Sequence, residues 1–147
     1  MNKIQIHENF SVSEQVTLDE IKSLAADGVK VLICNRPDGE EPNQVTCSEI
    51  KAAAEANGIN FVHIPVPGKI IPENALEEFV KVVDGCNDKI HAYCRTGMRS
   101  SIFWGLSHAR NNSADEVLAK AQSLGINLTP VADQIDDICN KHKFKTR

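Results

Sequence analysis

The sequence predicts an α/β fold, a mainly parallel central sheet flanked by helices, and three observations carry that prediction. Short apolar, β-branched runs alternate with stretches whose apolar residues recur at helical spacing. Gly28, Gly58 and Gly85 fall where a helix should stop before a strand begins. Strands separated by helices of about ten residues need right-handed crossovers, which pair the strands in parallel and put helices on both faces.

Ile4 to Ile6 is a candidate edge strand. Thr17-Leu18-Asp19-Glu20 reads as a capping box, with Leu18, Ile21, Leu24 and Ala25 on one helical face until Gly28. VKVLIC, Val29 to Cys34, is almost wholly apolar and predicts a strand buried on both faces. A polar loop runs from Asn35 to Thr46, containing Arg36-Pro37-Asp38-Gly39, and then an alanine-rich helix from Ser48 to Asn57. Ile59 to Ile64 forms another strand, broken by Pro65-Val66-Pro67-Gly68. Pro72 suits the first position of a helix whose Leu76, Phe79, Val80 and Val83 share a face up to Gly85. Lys89 to Tyr93 is the last strand of the pattern. Helices are expected at Ser100–Asn111, at Ser113–Leu124 behind a Ser113/Glu116 capping box, and from Pro130 to about Lys141.

At 147 residues the chain is one domain's worth, and one domain over 1–147 is expected. A hydrophobic share of 41%, with 24% charged residues, is that of an ordinary globular protein. A net charge of −4 gives no electrostatic reason to expect nucleic acid or an anionic membrane as partner. No apolar run approaches the ~18 residues a membrane span needs. The opening MNKIQIHENF has no apolar leader core, so a cytoplasmic location is expected, and the sequence implies no oligomeric state. Five cysteines, an odd number with no Cys-x-x-Cys pair, argue against a disulfide framework and present no zinc spacing. No metal or organic cofactor is expected. Cys34, Cys47, Cys86 and Cys139 read as small core residues.

Cys94 is set apart by its neighbours in the chain. In IHAYCRTGMRSS it stands where a strand ends and a helix begins, the place where open α/β sheets bind ligands. Amide groups of a short loop there, at the positive end of a helix, favour both an oxyanion and a thiolate. Gly97 admits backbone angles closed to other residues. Arg99 can offer a bidentate fork to two oxygens of an anion. Ser100 is expected to donate to the Cys94 sulfur. Arg95, Thr96 and Met98 complete the loop, Arg95 adding positive charge or facing solvent, Met98 touching substrate or packing. Arg36, at the end of the VKVLIC strand, should share the rim with Cys94. His63, Phe103 and Trp104 are read as core residues, and His91 as turned to the face away from Cys94.

The string CRTGMRS resembles the active-site loops of two families. Cysteine-dependent tyrosine and dual-specificity phosphatases place five residues between cysteine and arginine; rhodanese-type sulfurtransferases often place four, as Cys94 and Arg99 do here. GVKVLICNRPDGEE, GINFVHIPVPG and HAYCRTGMRSS together resemble the bacterial phosphatase-like domain found beside β-lactamase-like hydrolase domains, from about Phe10 to about Leu124. That resemblance implies a dual-specificity-phosphatase-like fold and a Cys94 nucleophile with Arg99 and Ser100 beside it.

Two departures from the phosphatase pattern shape the expected chemistry. The loop is one residue short, and Pro65 to Asn74, where such phosphatases carry an aspartic acid, has no aspartate. Glu73 and Asp38 are the acids within reach, although helix capping suits Glu73 and a turn suits Asp38. Sulfur transfer from thiosulfate or a persulfide needs no protonated oxygen leaving group and is the first expectation. Phosphomonoester hydrolysis through a phosphocysteine is the alternative. A non-catalytic module that binds an oxyanion or a phosphoprotein is the third.

Overall fold

The structure, a computed structural model, describes residues 1–145, with side chains through residue 142. In chain order the elements are β1 (Ile4–His7), β2 (Phe10–Ser13), α1 (Leu18–Ala26), β3 (Val29–Cys34), α2 (Cys47–Ala56) and β4 (Asn60–His63). Next come α3 (Glu73–Asp84), β5 (Lys89–Tyr93), α4 (Met98–His108) and α5 (Ala114–Ser123), and α6 (Ala132–Lys145) comes after a 3-10 turn at Thr129–Val131. The strands lie in the order β1-β2-β5-β3-β4. The last four pair in parallel, and β1 joins the edge antiparallel to β2.

Side chains alternate across the two central strands and so divide the core in two. Val31 and Ile33 of β3 and Ile90 and Ala92 of β5 face a large cluster that includes Phe79, Phe103, Trp104 and Ile135, contributed by α3, α4 and α6. Leu32, Cys34 and Tyr93 face the other way, onto Ile21 and Leu24 of α1 and Ile50 and Ala54 of α2. Helices therefore cover both faces, as the parallel pairing requires. Phe103 and Trp104 are core residues, as expected.

One strand and three helix starts depart from the sequence reading. β2 has no counterpart in it: FSVS is too short for its apolar alternation to stand out, yet all four residues are buried because β2 lies between β1 and β5. α2 starts at Cys47 behind a Thr46/Glu49 capping box, and α4 starts at Met98, two residues ahead of Ser100. Pro72 is the N-cap of α3, extended at ψ 147°, so Glu73 takes the first helical position. The two expected capping boxes, Thr17/Glu20 and Ser113/Glu116, are both present.

Candidate active site

The C-terminal ends of the parallel strands β2, β5 and β3 meet at the loop from Cys94 to Gly97. β2 forms its bed: the Cys94 N–H donates to the Ser13 carbonyl at 3.4 Å, and the Gln15 N–H to the Arg95 carbonyl at 3.4 Å. Gly97 caps α4 at φ 95°, and a Cβ there would stand 3.2 Å from the Ser13 carbonyl carbon. Both facts require glycine. In that conformation the Gly97 N–H donates to the Cys94 sulfur at 3.1 Å. Cys94 itself is fully buried, so the sulfur is held at the floor of the loop.

The helix supplies more donors. The first four N–H groups of any helix lack an intrahelical acceptor. Here Gly97 uses its N–H on the sulfur and Met98 donates to Thr96 Oγ1 at 3.3 Å, leaving those of Arg99 and Ser100 at the positive end of α4. These amides and the Arg99 guanidinium gather N–H donors and positive charge around the Cys94 sulfur.

Arg99 is held on three of its donors. Nη1 donates to Glu40 Oε2 and to the Val66 carbonyl, and Nη2 to Glu40 Oε1, each at 2.8 Å. A guanidinium has five N–H groups, so Nε–H and one Nη2–H remain beyond those three bonds. Glu40 first, and the Cys94 sulfur more weakly, raise the Arg99 pKa against the effect of burial. The same Arg99 contact pulls the Glu40 carboxyl below the usual carboxylate range, with Arg36 assisting and partial burial opposing.

Arg36 is buried rather than open on the rim, and two of its three nitrogens are hydrogen-bonded. Its Nε donates to Glu40 Oε1 at 3.0 Å and its Nη1 to Gln15 Oε1 at 2.8 Å. Nη2 lies 3.1 Å from Glu41 Oε1, close enough for an ion pair but not aligned for a hydrogen bond. Arg95 is exposed and pairs with Glu41. Three arginines thus stand around the loop with two glutamates between them, an arrangement with one net positive charge among these side chains.

Ser100 does not meet the cysteine sulfur. Its hydroxyl donates to Asn35 Oδ1 at 2.8 Å, and Asn35 in turn donates through Nδ2 to the Ile64 carbonyl at 3.0 Å. The Asn35 N–H also donates to the Tyr93 carbonyl at 2.8 Å. Asn35 therefore ties the ends of β3, β4 and β5 together and fixes the start of α4 through Ser100.

The other expected residues divide plainly. Asp38 Oδ1 accepts the Cys47 N–H at 2.9 Å and serves the start of α2. Glu73 pairs with Lys141 at 3.3 Å, between α3 and α6. Both carboxyls thus have partners away from the Cys94 loop, at the start of α2 and on α6. Met98 packs against the larger core cluster, and Thr96 is exposed. His63 is half-buried, its Nε2 2.9 Å from the Arg36 carbonyl, so it belongs to the underside of the Arg36 loop rather than to the core.

His91 is fully buried between two serines. Nδ1 lies 2.7 Å from Ser11 Oγ, and Nε2 lies 2.7 Å from Ser13 Oγ. Ser13 Oγ donates to the Glu14 carbonyl at 2.8 Å, and a hydroxyl has one proton to give. Nε2–H is then the donor to Ser13, and Nδ1 accepts from Ser11. Burial drives its pKa down to about 3, so the ring is neutral at pH 7.

Residues missed in the sequence are Glu40, Asn35 and Ser13. Asn35 had a usable signal, since it comes directly after a parallel strand, where functional loops gather. Glu40 had none, because a glutamate in a polar loop looks like any other until the fold brings it to Arg99.

The α/β sheet with a cysteine loop feeding a helix N-terminus is of the phosphatase-like class, as the comparisons show. Residues 4–111 match the family model of the beta-lactamase hydrolase-like protein, phosphatase-like domain, and the chain belongs to that family. It is 33% identical over 109 residues to a beta-lactamase hydrolase-like protein of Agrobacterium fabrum, covering 74% of this chain but 25% of that one. The chain therefore spans about a quarter of that relative's length. A crystal structure of a candidate phosphatase from Neisseria meningitidis is 34% identical, with a TM-score of 0.82, over 94% of this chain and 99% of the other. Kinase associated phosphatase, solved with its catalytic-site cysteine replaced by serine, shares the fold at a TM-score of 0.73 and 14% identity, over 91% and 87% of the two chains. The fold is that of the dual-specificity and tyrosine phosphatases. Among the described residues no helix is long and apolar enough to cross a membrane.

Proposed function

We propose that this protein is a cysteine-dependent phosphomonoesterase that acts on esters whose leaving group departs without help from an acid. The Cys94 sulfur, under the Gly97 amide and beside Arg99, carries this reading. The family and the fold support phosphoester chemistry over the sulfur transfer that loop length suggests.

Arg99 and the amides of α4 hold the phosphoryl oxygens while the Cys94 thiolate attacks phosphorus. The S–P bond forms, the P–O ester bond breaks, and the leaving oxygen takes its proton from water. Water then attacks the phosphocysteine, breaking the S–P bond and restoring the thiolate with release of inorganic phosphate. Glu40 is the carboxyl tied to Arg99, and its lowered pKa keeps it ionised at neutral pH, so it has no proton to give. Asp38 and Glu73 are engaged elsewhere. The reaction is therefore steep in leaving-group acidity.

Sulfur transfer is the second reading, favoured by the four-residue spacing and by those same engaged carboxyls. The thiolate attacks the outer sulfur of thiosulfate, the S–S bond breaks, sulfite departs, and an acceptor thiol takes the sulfur from the Cys94 persulfide. Incubation with each donor, and then intact-protein and peptide mass spectrometry, tests both readings. Turnover of p-nitrophenyl phosphate with a trapped phosphocysteine, both lost in Cys94→Ser, is expected. One added sulfur on Cys94 from thiosulfate, without phosphoester turnover, would overturn the first reading in favour of the second. If neither adduct forms, both fall.

A further inference from the structure

Beneath the loop that carries Arg36 and Glu40, three residues remote in sequence converge: Cys34 at the end of β3, Cys47 at the start of α2 and His63 at the end of β4. Their sulfur and Nε2 atoms all lie within 4.8 Å of one another. Cys34 Sγ and Cys47 Sγ are 3.7 Å apart, and Cys47 Sγ is 3.3 Å from His63 Nε2. The Arg36 carbonyl oxygen closes the group, 3.3 Å from Cys34 Sγ and 2.9 Å from His63 Nε2.

These distances are close to the edges of a metal tetrahedron. With zinc–sulfur bonds of about 2.3 Å and zinc–nitrogen bonds of about 2.0–2.1 Å, the sulfur–sulfur edge is about 3.8 Å and the sulfur–nitrogen edge about 3.6 Å. Two thiols and an imidazole form a soft donor set suited to zinc. We infer that Cys34, Cys47 and His63 bind one thiophilic divalent cation, zinc by their chemistry, with the Arg36 carbonyl or a water as fourth ligand.

The expectation of no metal rests on linear spacing. The two cysteines are thirteen positions apart and Cys47 and His63 sixteen, a pattern unlike a zinc finger. Parallel pairing supplies what spacing does not, because Cys34 and His63 are register partners at the ends of neighbouring strands. Without metal, His63 Nε2–H and the Cys34 thiol both donate to the Arg36 carbonyl. Binding a dication releases both thiol protons, moves the imidazole proton to Nδ1 and frees that carbonyl. Half-exposed Cys47 and His63 give the ion a path from solvent. The bound cation would pin both ends of the 34–47 loop and so steady Glu40 against Arg99.

Cobalt(II) and zinc(II) are the probes, with the reduced 147-residue chain carrying Cys94→Ser so that the loop thiol cannot compete. One equivalent of cobalt(II) should give the charge-transfer and visible bands of a tetrahedral thiolate site, erased by zinc(II). Cys47→Ser and His63→Ala should each weaken uptake by more than the ~10–100-fold typical of an outer-sphere partner. Because either variant could fail to fold, the chain with native Cys34, Cys47 and His63 supplies a second measurement. Zinc(II) should slow iodoacetamide alkylation of Cys47 while leaving half-buried Cys86 and Cys139 unchanged. Bands that survive Cys47→Ser, or equal alkylation of Cys47 with and without zinc(II), would overturn the inference.

Discussion

Arg99 and Glu40 form a two-pronged ion pair, Nη1 to Oε2 and Nη2 to Oε1, both at 2.8 Å, and Arg36 adds a third bond to the same carboxylate. Glu40 therefore acts as a positioning residue. It fixes the outer side of the guanidinium while Nε–H and one Nη2–H are left for other acceptors.

Replacing Glu40 with alanine should lower kcat/KM for p-nitrophenyl phosphate by about 10–100-fold, the loss of about 1.5–3 kcal/mol from one charge-assisted hydrogen bond. Glu40→Gln keeps one acceptor and should recover part of the loss. Equal activity in the alanine variant and the parent would show that Arg99 holds its place without Glu40.

Ser100→Ala separates structure from chemistry in the loop. The hydroxyl is bonded to Asn35 rather than to the sulfur, so its removal leaves a buried Asn35 oxygen without its donor. The expected cost is about 1–3 kcal/mol, seen as a fall of several degrees in Tm. The alkylation rate of Cys94 by iodoacetamide at pH 6 should stay unchanged. A strong drop in that rate with unchanged Tm would restore Ser100 to the sulfur.

Much of this architecture is legible in the residues. VKVLIC announces a strand buried on both faces, and two capping boxes mark their helices to the residue. Cys94, Gly97 and Arg99 are legible too, because strand, glycine and helix force them into one loop. What the sequence conceals is tertiary. β2 is four residues long and takes its importance from lying beside β5. The Glu40–Arg99 pair spans 59 residues, and Ser100–Asn35 spans 65. No local periodicity encodes such a pairing. Asp38 and Glu73 stand out by residue type alone, and the fold gives each a partner elsewhere.

His91 predicts how stability responds to acid. Its folded pKa, near 3, lies below the ordinary histidine value of about 6.5, chiefly through burial, with Lys3 adding a smaller push and Glu20 opposing. The unfolded chain therefore binds the proton more readily than the folded one between those values. Stability should be fully present above pH 6.5 and fall as pH drops toward 3, by up to about 1.4 kcal/mol per pH unit from this group. His7 and His108 are also lowered by burial and contribute in the same direction, so the parent curve alone does not isolate His91. The difference between parent and His91→Gln does. Glutamine keeps a donor and an acceptor for Ser11 and Ser13 but cannot take up the proton. Urea unfolding from pH 7.5 to 5 should show the parent losing stability more steeply than the variant, above the range where Glu20, Glu40 and Asp84, all with lowered pKa values, begin to titrate. Parallel curves for the two chains would mean that His91 takes up its proton as readily in the folded chain as in the unfolded one, and the neutral Ser11–His91–Ser13 bridge would have to be redrawn.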